Sequence, residues 1–218
     1  MLLVAQGASR RFGSRVALHP TTFELCEGEA VALIGPNGAG KSTLLTLLAG
    51  ALEPSSGEIR LRDGTRVGWA PQRPAQYGRL SPRENLEFFA RLEGVPRPER
   101  ATERLLSDFE LPQEDRPSDE LSVGNRQRLN VAIALLGEPR VLLLDEPAAS
   151  LDPRQRRLLW QRAERLRDDG GGVVFATQTL DEVERFSDRV ACLLDGAVVF
   201  DGSLESYRES RPLAEVFA

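Results

Sequence analysis

The sequence predicts an α/β fold whose parallel sheet is built around a phosphate-binding loop (P-loop). Three observations lead to this prediction. Residues 35–42, Gly-Pro-Asn-Gly-Ala-Gly-Lys-Ser, match the pattern G-x-x-x-x-G-K-[ST] at every fixed position. Short apolar segments rich in strand-forming residues alternate with segments of helical periodicity. No strand-like run occurs between about residues 73 and 120, which indicates a small helical subdomain inserted in the α/β core.

Composition and charge limit the possible classes of protein. The 218 residues are 41% hydrophobic and 28% charged, which suits a single domain covering residues 1–218. The formal net charge of −5 argues against nucleic acid as a main partner. No apolar run approaches the length of a membrane span, and the N-terminus lacks a charged segment followed by an apolar one. We therefore expect a soluble, cytoplasmic chain.

The segment before the P-loop is predicted to be an antiparallel β flap. Strand-like runs there and shortly after the P-loop cover residues 2–5, 16–19, 21–25, 30–34, 58–61 and 67–70. Phe12 and Gly13 mark a turn within the flap. An exposed Phe12 could stack on an adenine ring, a contact worth about 1 kcal/mol, or its side chain could pack under the turn. The sequence leaves both possibilities open.

The P-loop is followed by residues 43–50, which have helical spacing and end at a glycine. The backbone N–H groups of such a turn and the N-terminus of its helix together form an anion cradle. Lys41, the only lysine in the chain, is expected to reach the β- and γ-phosphates. The Ser42 hydroxyl is expected to bind Mg²⁺, so the motif predicts a bound nucleoside triphosphate.

The helical subdomain is predicted to contain amphipathic helices over residues 82–92 and 99–109. Leu86, Phe89 and Leu92 are expected on one face of the first helix. The unit contains three aromatic side chains, Tyr77, Phe88 and Phe89. This is more than the packing of so small a unit requires. We therefore expect a small satellite core that also carries a docking surface.

Residues 121–128, Leu-Ser-Val-Gly-Asn-Arg-Gln-Arg, are predicted to open a long helix with an apolar face at Leu129, Ala132, Ile133 and Leu136. Ser122 is suited to the N-cap, and Gly124 lets the backbone approach a ligand closely. A helix N-terminus with these features is a second candidate anion site. One nucleotide does not need two such sites in one subunit.

Residues 141–147, Val-Leu-Leu-Leu-Asp-Glu-Pro, predict a buried parallel strand that ends in two carboxylates. Asp145 is suited to the Mg²⁺ shell, and Glu146 to polarising a water for in-line attack. The pair could also be only a capped strand end, but its place downstream of a P-loop favours the functional interpretation. A helix is predicted to begin at residues 150–153, with Pro153 at its first position, and to end at residues 170–172.

The C-terminal part is predicted to hold a strand over residues 173–177, a helix over 180–187, strands over 189–194 and 198–201, and a short helix in the last ~15 residues. The two cysteines, Cys26 and Cys192, are predicted to be buried reduced thiols. Because His19 is the only histidine, a zinc site is not expected.

The order and spacing of these motifs resemble an ATP-binding cassette (ABC) ATPase domain over residues 2–205. The matching positions are Phe12, residues 35–42, Gln72, residues 121–128 and 141–147, and Ser150-Leu151-Asp152. Residues 80–86 and the short helical insert look most like ATPase subunits of bacterial exporters whose membrane domain is a separate polypeptide. The resemblance implies a RecA-like parallel sheet with an antiparallel β subdomain and a helical subdomain.

The resemblance also implies roles for individual residues, in a head-to-tail dimer of two cassettes that binds ATP and Mg²⁺. Catalytic roles fall to Glu146 as general base, with Lys41, Gln72 and Gln178. Mg²⁺ would be held by Ser42, Gln72 and Asp145. The nucleotide would contact Phe12, Gly35, Pro36, Asn37, Gly38, Ala39, Gly40, Lys41, Ser42 and Thr43. Ser122 and Gly124 would face the γ-phosphate bound by the other subunit, and Asp152 would contact the other subunit across the interface.

Two departures from the family pattern bear on activity. The signature is usually LSGGQ, and Val123 and Asn125 replace its third and fifth residues, while Ser122 and Gly124 are kept. Gln178 stands where the family has a switch histidine. An amide donates a hydrogen bond but carries no charge and cannot relay a proton. Since losing such a group costs on the order of 10²-fold in rate, we expect slow hydrolysis in a homodimer.

Two classes of function follow from the sequence. The first is an ATPase subunit that energises a membrane transporter, in particular an exporter, through an integral membrane permease on a separate chain. Its location would be the inner face of the cell membrane. The alternative is a soluble nucleotide-switch or regulatory ABC protein with weak hydrolysis. A GTPase is disfavoured because the chain has no N-K-x-D-like segment.

Overall fold

The computed structural model describes residues 1–210 and contains two sheets. Three strands form an antiparallel sheet in the order β2-β1-β4, namely β1 (Leu3–Phe12), β2 (Arg15–Leu25) and β4 (Ser56–Leu61). Strands β1 and β2 are longer than predicted, because β1 continues past Ala5 through shifts of register. Pro20 does not interrupt β2, since an edge strand tolerates a residue without an N–H.

The second sheet has six strands in the order β5-β6-β7-β3-β8-β9, and all are parallel except the antiparallel edge strand β9. These strands are β3 (Glu29–Ile34), β5 (Val67–Ala70), β6 (Val141–Asp145), β7 (Gly172–Ala176), β8 (Arg189–Leu194) and β9 (Ala197–Ser203). Every residue of β6 and β7 is buried, as both faces of a parallel sheet require. The mixed α/β class predicted from the sequence is confirmed.

Seven α-helices complete the described chain. They are α1 (Lys41–Leu48), α2 (Pro82–Leu92), α3 (Pro98–Asp108), α4 (Val123–Ala134), α5 (Pro153–Asp168), α6 (Leu180–Phe186) and α7 (Leu204–Ser210). The predicted C-terminal helix is present as α7, and the rest of the predicted single domain lies outside the described residues. Within residues 1–210, none of the helices has both the length and the apolar character needed to cross a bilayer.

The helical subdomain consists mainly of α2 and α3. Helix α2 begins at a capping box, in which the Ser81 side chain accepts from the Glu84 N–H and the Glu84 carboxylate accepts from the Ser81 N–H. Leu86 is fully buried, but Leu92 is 70% exposed, so the prediction that Leu92 faces the core is wrong. Leu92 is the last residue of the helix.

The two cysteines lie in different environments. Cys192 is fully buried in β8. Cys26 is exposed, so the prediction that it is buried is wrong. It lies just after β2, in the turn that leads to Glu29, where its N–H donates to a Glu29 carboxylate oxygen over 2.8 Å. A residue in a tight turn cannot follow the alternation of buried and exposed positions that a strand imposes.

Candidate functional site

The P-loop connects β3, in the middle of the parallel sheet, to helix α1. All three of its glycines have positive φ angles, which are 148° at Gly35, 83° at Gly38 and 104° at Gly40. A Cβ atom on Gly35 would lie 2.1 Å from the Leu193 carbonyl oxygen, and one on Gly40 would lie 2.9 Å from the Ala17 carbonyl oxygen. The loop therefore packs against both β8 and the antiparallel sheet, and larger residues cannot replace these glycines without moving the backbone.

Lys41 is the first residue of α1 and is only 6% exposed. Its Nζ donates to the carbonyl oxygens of Gly35 over 2.7 Å and Pro36 over 3.1 Å. Burial lowers the pKa of the ammonium, while the negative charges of Glu146 and Asp145 raise it. The side chain thus folds back over the loop, with its charge facing the carboxylates at the end of β6.

Asp145 is the last residue of β6 and is 4% exposed. Burial raises the pKa of its carboxyl, a hydrogen bond with Ser42 lowers it, Glu146 raises it and Lys41 lowers it. A buried carboxylate beside a hydroxyl is a set of hard oxygen donors, which suits Mg²⁺. Residues 1–210 contain no cluster of three or more His, Cys, Asp or Glu that could hold a metal ion. A metal here would need ligands from Ser42 and from the nucleotide as well.

Glu146 lies in a left-handed backbone conformation, with φ of 48°, and its N–H donates to the Ala176 carbonyl oxygen over 3.0 Å. Two amide groups bind its carboxylate. Gln72 Nε2 donates to Oε2 over 3.2 Å, and Gln178 Nε2 donates to Oε1 over 2.6 Å. The same Gln178 nitrogen lies 3.0 Å from Oδ1 of Asn37 in the P-loop. The structure thus brings Gln72, Gln178 and Glu146 into one polar network.

The P-loop and this network open on a cavity of about 400 Å³. Its lining includes Phe12, residues 37–43, Gln72 and Glu146. Phe12 is 51% exposed, so it does not pack under its turn, and the Arg10 guanidinium lies 4.7 Å from the centre of its ring. The structure therefore places Phe12 where an aromatic side chain can meet a bound ring.

Arg15 also lines this cavity, and the sequence analysis did not identify it. One guanidinium nitrogen of Arg15 lies 3.9 Å from the position that a Cβ atom on Gly38 would occupy. The side chain adds a second positive charge to the phosphate cradle. Its only sequence signal is its place three residues after Phe12, which is weak in a chain with 27 arginines.

Ser122, Gly124 and Asp152 lie apart from this cavity, because none of the three belongs to its lining among the described residues. Ser122 is the N-cap of α4, and its side chain accepts from the Asn125 N–H over 3.2 Å. Asp152 is the N-cap of α5 and accepts from two N–H groups of the first turn, each over 2.9 Å. Ser122 and Asp152 therefore each have a local structural role as a helix N-cap.

The fifth residue of the signature, Asn125, contacts the guanidinium of Arg128. Arg128 is 8% exposed, and its Nη1 donates to the carbonyl oxygens of Phe109 over 2.7 Å and Glu110 over 2.9 Å. These contacts connect α4 to the end of α3. Asn125 therefore takes part in joining the signature helix to the helical subdomain.

Comparisons with known proteins match this arrangement. Residues 18–149 match the family model described as ABC transporter. The daunorubicin resistance ATP-binding protein DrrA3 of Streptomyces coeruleorubidus is 33% identical, covering 94% of this chain and 69% of its own length. The lantibiotic transport ATP-binding protein SrtF of Streptococcus pyogenes is 32% identical, with coverages of 99% and 96%. ATP-binding cassette sub-family A member 9 of Mus musculus is 35% identical, but the chain spans only 13% of it.

Solved structures of ABC transporter ATPase cassettes are also similar to this chain. A structure of an ATP binding subunit of an ABC transporter superposes with a TM-score of 0.88 at 31% identity, covering 98% of this chain and 94% of that one. The dimeric structure of MJ0796, a bacterial ABC transporter cassette, has a TM-score of 0.84 at 26% identity, with coverages of 93% and 99%.

Proposed function

Since the chain belongs to the ABC transporter family, we propose that it binds and hydrolyses Mg-ATP to energise export through a membrane protein on a separate chain. The observation that carries this proposal is that Lys41, Gln72 and Glu146 line one cavity at the P-loop. The amides of Gln72 and Gln178 both donate to the Glu146 carboxylate there. Phosphoryl transfer to water requires a cation that binds the phosphate and a carboxylate that activates the water. Here two amides also hold that carboxylate in place.

The proposed nucleotide contacts follow from the lining of the cavity. Phe12 stacks on the adenine, and the backbone of residues 38–43 with Lys41 binds the phosphates. Gly35, Pro36 and Asn37 give the loop its shape. Mg²⁺ would be held by Ser42, Gln72 and Asp145, and when bound it neutralises charge on the phosphates. The buried carboxyl of Asp145, hydrogen-bonded to Ser42, supports this donor set.

Glu146 acts as the general base in this proposal. Its carboxylate takes a proton from the attacking water, and the amides of Gln72 and Gln178 hold it in one orientation. Neither amide carries a charge or relays a proton at neutral pH. We therefore expect the chain's own site to hydrolyse ATP slowly, because Gln178 positions the base but cannot replace the switch histidine.

A second cassette, identical or related, completes the site. Ser122 and Gly124 lie apart from the P-loop cavity of their own subunit, although a helix N-terminus there suits a phosphate. In a head-to-tail dimer they face the γ-phosphate bound to the partner, and Asp152 lies at the interface. A relative of the same fold, MJ0796, is described as dimeric.

The proposed contact with the membrane protein is the aromatic cluster of Tyr77, Phe88 and Phe89. Tyr77 and Phe88 are 52% and 40% exposed, and their ring centres lie 5.0 Å apart. An exposed aromatic cluster is typical of a protein-binding surface. Gln72 lies in the segment before Tyr77, and its amide donates to Glu146. Binding of the membrane protein at Tyr77 can therefore shift Gln72 and, through it, Glu146. The chain would then work at the cytoplasmic face of the membrane.

Purification of a tagged copy from its native membranes, in mild detergent with ATP, tests the exporter proposal. We expect a polytopic membrane protein to co-purify, together with a second cassette or a second copy of this chain. A Tyr77→Ala, Phe88→Ala double variant should lose the membrane protein while still binding ATP. Recovery from the soluble fraction alone, without a membrane partner, would contradict the proposal.

That outcome would favour the alternative, a soluble nucleotide-switch or regulatory cassette. The observation in its favour is Gln178, since a slow ATPase can remain in its ATP-bound, dimeric form. ATP-dependent dimerisation of the isolated chain without stimulation by any membrane fraction would support it, and stimulation by the native membrane fraction would exclude it.

A further inference from the structure

A buried carboxylate lies just beyond the predicted site and has no role in the mechanism above. Glu182 belongs to α6 and is 4% exposed. Burial raises the pKa of its carboxyl, and a hydrogen bond from Thr177 lowers it. A buried charged residue on a short helix destabilises a fold unless specific contacts compensate, so its contacts indicate what it does.

The main contact of Glu182 is the Thr177 hydroxyl, which donates to Oε2 over 2.6 Å. Thr177 is 3% exposed, and its oxygen also accepts from the Thr179 N–H over 3.0 Å. A hydroxyl has one proton. Donation of that proton to Glu182 turns a lone pair of the oxygen towards the Thr179 N–H. Thr177 and Thr179 flank Gln178, so this hydroxyl closes the turn that carries the Gln178 amide.

The other side of Glu182 faces helix α5. Arg156 Nε lies 4.0 Å from Oε1, and the positive charge of Arg156 lowers the pKa of the carboxyl. Trp160 is 1% exposed and stacks on Phe186 of α6, with ring centres 4.4 Å apart. The carboxylate therefore lies between two packed helices and cannot move without disturbing both.

We propose that Glu182 is a positioning residue, which orients the Thr177 hydroxyl and so fixes the turn that brings the Gln178 amide to Glu146 and Asn37. This inference rests on the proposed role of Gln178 in hydrolysis. Gln178 itself is exposed, and within residues 1–210 its tip is held by hydrogen bonds to Asn37 and Glu146. A fixed turn at its base limits the positions that this amide can reach.

Hydrogen exchange tests the structural step without reference to activity. In Glu182→Ala and in Thr177→Val we expect the Thr179 amide to exchange about tenfold faster or more, because the Thr177 oxygen no longer holds it. Thr177→Ser, which keeps the hydroxyl, should exchange like the wild type. Glu184→Gln is the matched control, since Glu184 lies on the same helix but pairs with Arg208 at the surface. Unchanged exchange at Thr179 in Glu182→Ala would overturn the proposal.

Steady-state kinetics of the purified full chain tests the functional step. Glu182→Ala and Thr177→Val should lower kcat about fivefold, because each removes one hydrogen bond that positions the turn. KM for ATP should change by less than about twofold. Glu182→Gln, whose amide oxygen still accepts from Thr177, should retain most of kcat. A loss of kcat in Glu182→Gln as large as in Glu182→Ala would contradict positioning through the Thr177 hydroxyl.

A double-mutant cycle separates this inference from the proposed function. In a Gln178→Ala background, Glu182→Ala should cause no further loss of kcat, because its effect passes through Gln178. An equal loss in both backgrounds would overturn the inference, and Glu182 would then act by another route. If Gln178→Ala alone leaves kcat unchanged, the proposed role of Gln178 fails, while the exchange rate at Thr179 still decides whether Glu182 fixes the turn.

Discussion

Gln178 is the residue whose role the structure changes most. The sequence places it where the family has a histidine that bonds the γ-phosphate, but here its amide donates to Glu146 over 2.6 Å and lies 3.0 Å from Asn37 Oδ1. An amide bound to the base orients it, yet cannot accept or relay a proton. This contact is the basis of our proposal that the site hydrolyses ATP slowly.

Gln178→His should therefore accelerate turnover. An imidazole at this position restores a group that titrates near neutral pH and can carry a positive charge beside the γ-phosphate. We expect kcat to rise by up to about 100-fold in a homodimer, with little change in KM for ATP. Release of phosphate under saturating Mg-ATP measures this, with Gln178→Ala as control. No acceleration by histidine would show that Gln178 does not limit the rate.

Glu146→Gln should abolish turnover and leave ATP binding intact. The amide has the same shape as the carboxylate but cannot take a proton from water. Because Gln72 and Gln178 both donate to Glu146, the variant also forces at least one of these amides to turn. Equilibrium binding of a fluorescent ATP analogue and single-turnover hydrolysis measure the two effects. Turnover that survives the change would remove Glu146 from the role of base.

The two cysteines should differ in reactivity. Cys192 is fully buried, and burial raises the pKa of its thiol to about 12. Only the thiolate reacts, and at pH 8 about one part in 10⁴ of such a thiol is ionised. Since Cys26 is exposed, mass spectrometry should find one maleimide adduct on the native chain and two after unfolding. Cys26→Ser should give no adduct on the native chain, and rapid labelling of Cys192 would contradict this account.

At the scale of secondary-structure elements, the sequence predicted the type and order of helices and strands well wherever a segment has a single clear periodicity. Helix α2 spans Pro82–Leu92, as predicted, because its capping box and proline mark its start. Strands β1 and β2 were predicted too short. Their ladder contains three shifts of register, and irregular pairing hides the alternation that a sequence pattern relies on. The sequence does not reveal where a bulge occurs or that Pro20 lies on an edge strand, because both depend on which strand is the neighbour.

Asn85 shows how one buried amide organises the helical subdomain. It is fully buried, and its Nδ2 donates to the carbonyl oxygens of Leu80 over 3.1 Å and Ser81 over 3.0 Å and to the Ser118 hydroxyl over 3.1 Å. Its Oδ1 accepts from the Tyr77 N–H over 2.8 Å. The amide therefore holds the segment before α2 against the segment before α4. No periodicity in the sequence marks this polar residue as buried.

Asn85→Ala should destabilise the chain by about 2 kcal/mol, because it removes several buried hydrogen bonds and leaves the Tyr77 N–H without its acceptor. We also expect Tyr77 to become more mobile, since its N–H loses the only side-chain acceptor that the described residues give it. Chemical denaturation measures the first effect, and proteolysis between residues 73 and 81 the second. Arg91→Ala, which removes an exposed ion pair with Glu87 on the same helix, should change stability by less than about 0.5 kcal/mol. An equal effect of both variants would contradict the role given to Asn85.

At the scale of the whole molecule, the sequence motifs indicated which residues form the site, and only the family resemblance implied how these residues divide between two subunits. The P-loop, Gln72 and Glu146 meet in one cavity, whereas Ser122 and Gly124 lie elsewhere on the same subunit. Spacing along the chain does not reveal this division, because both groups follow the same glycine and capping patterns. The contacts of Glu182 and Arg15 were also missed, since a single carboxylate or arginine carries no motif. Our proposal that Ser122 and Gly124 serve the partner's nucleotide would make a second subunit part of the chemistry.

This division can be tested by mixing two inactive variants. Lys41→Ala removes the cation of the P-loop, and Gly124→Asp places a negative charge where the partner's γ-phosphate is expected. In a mixed dimer, the Gly124→Asp subunit keeps an intact P-loop and meets the intact signature of the Lys41→Ala subunit, so one complete site forms. Turnover in the mixture should therefore exceed that of either variant alone. The gain should vanish when Ser122→Arg is added to the Lys41→Ala subunit, because the one complete site then loses its signature. A mixture as inactive as its parents, from variants that still bind ATP and dimerise, would show that one subunit does not complete the site of the other.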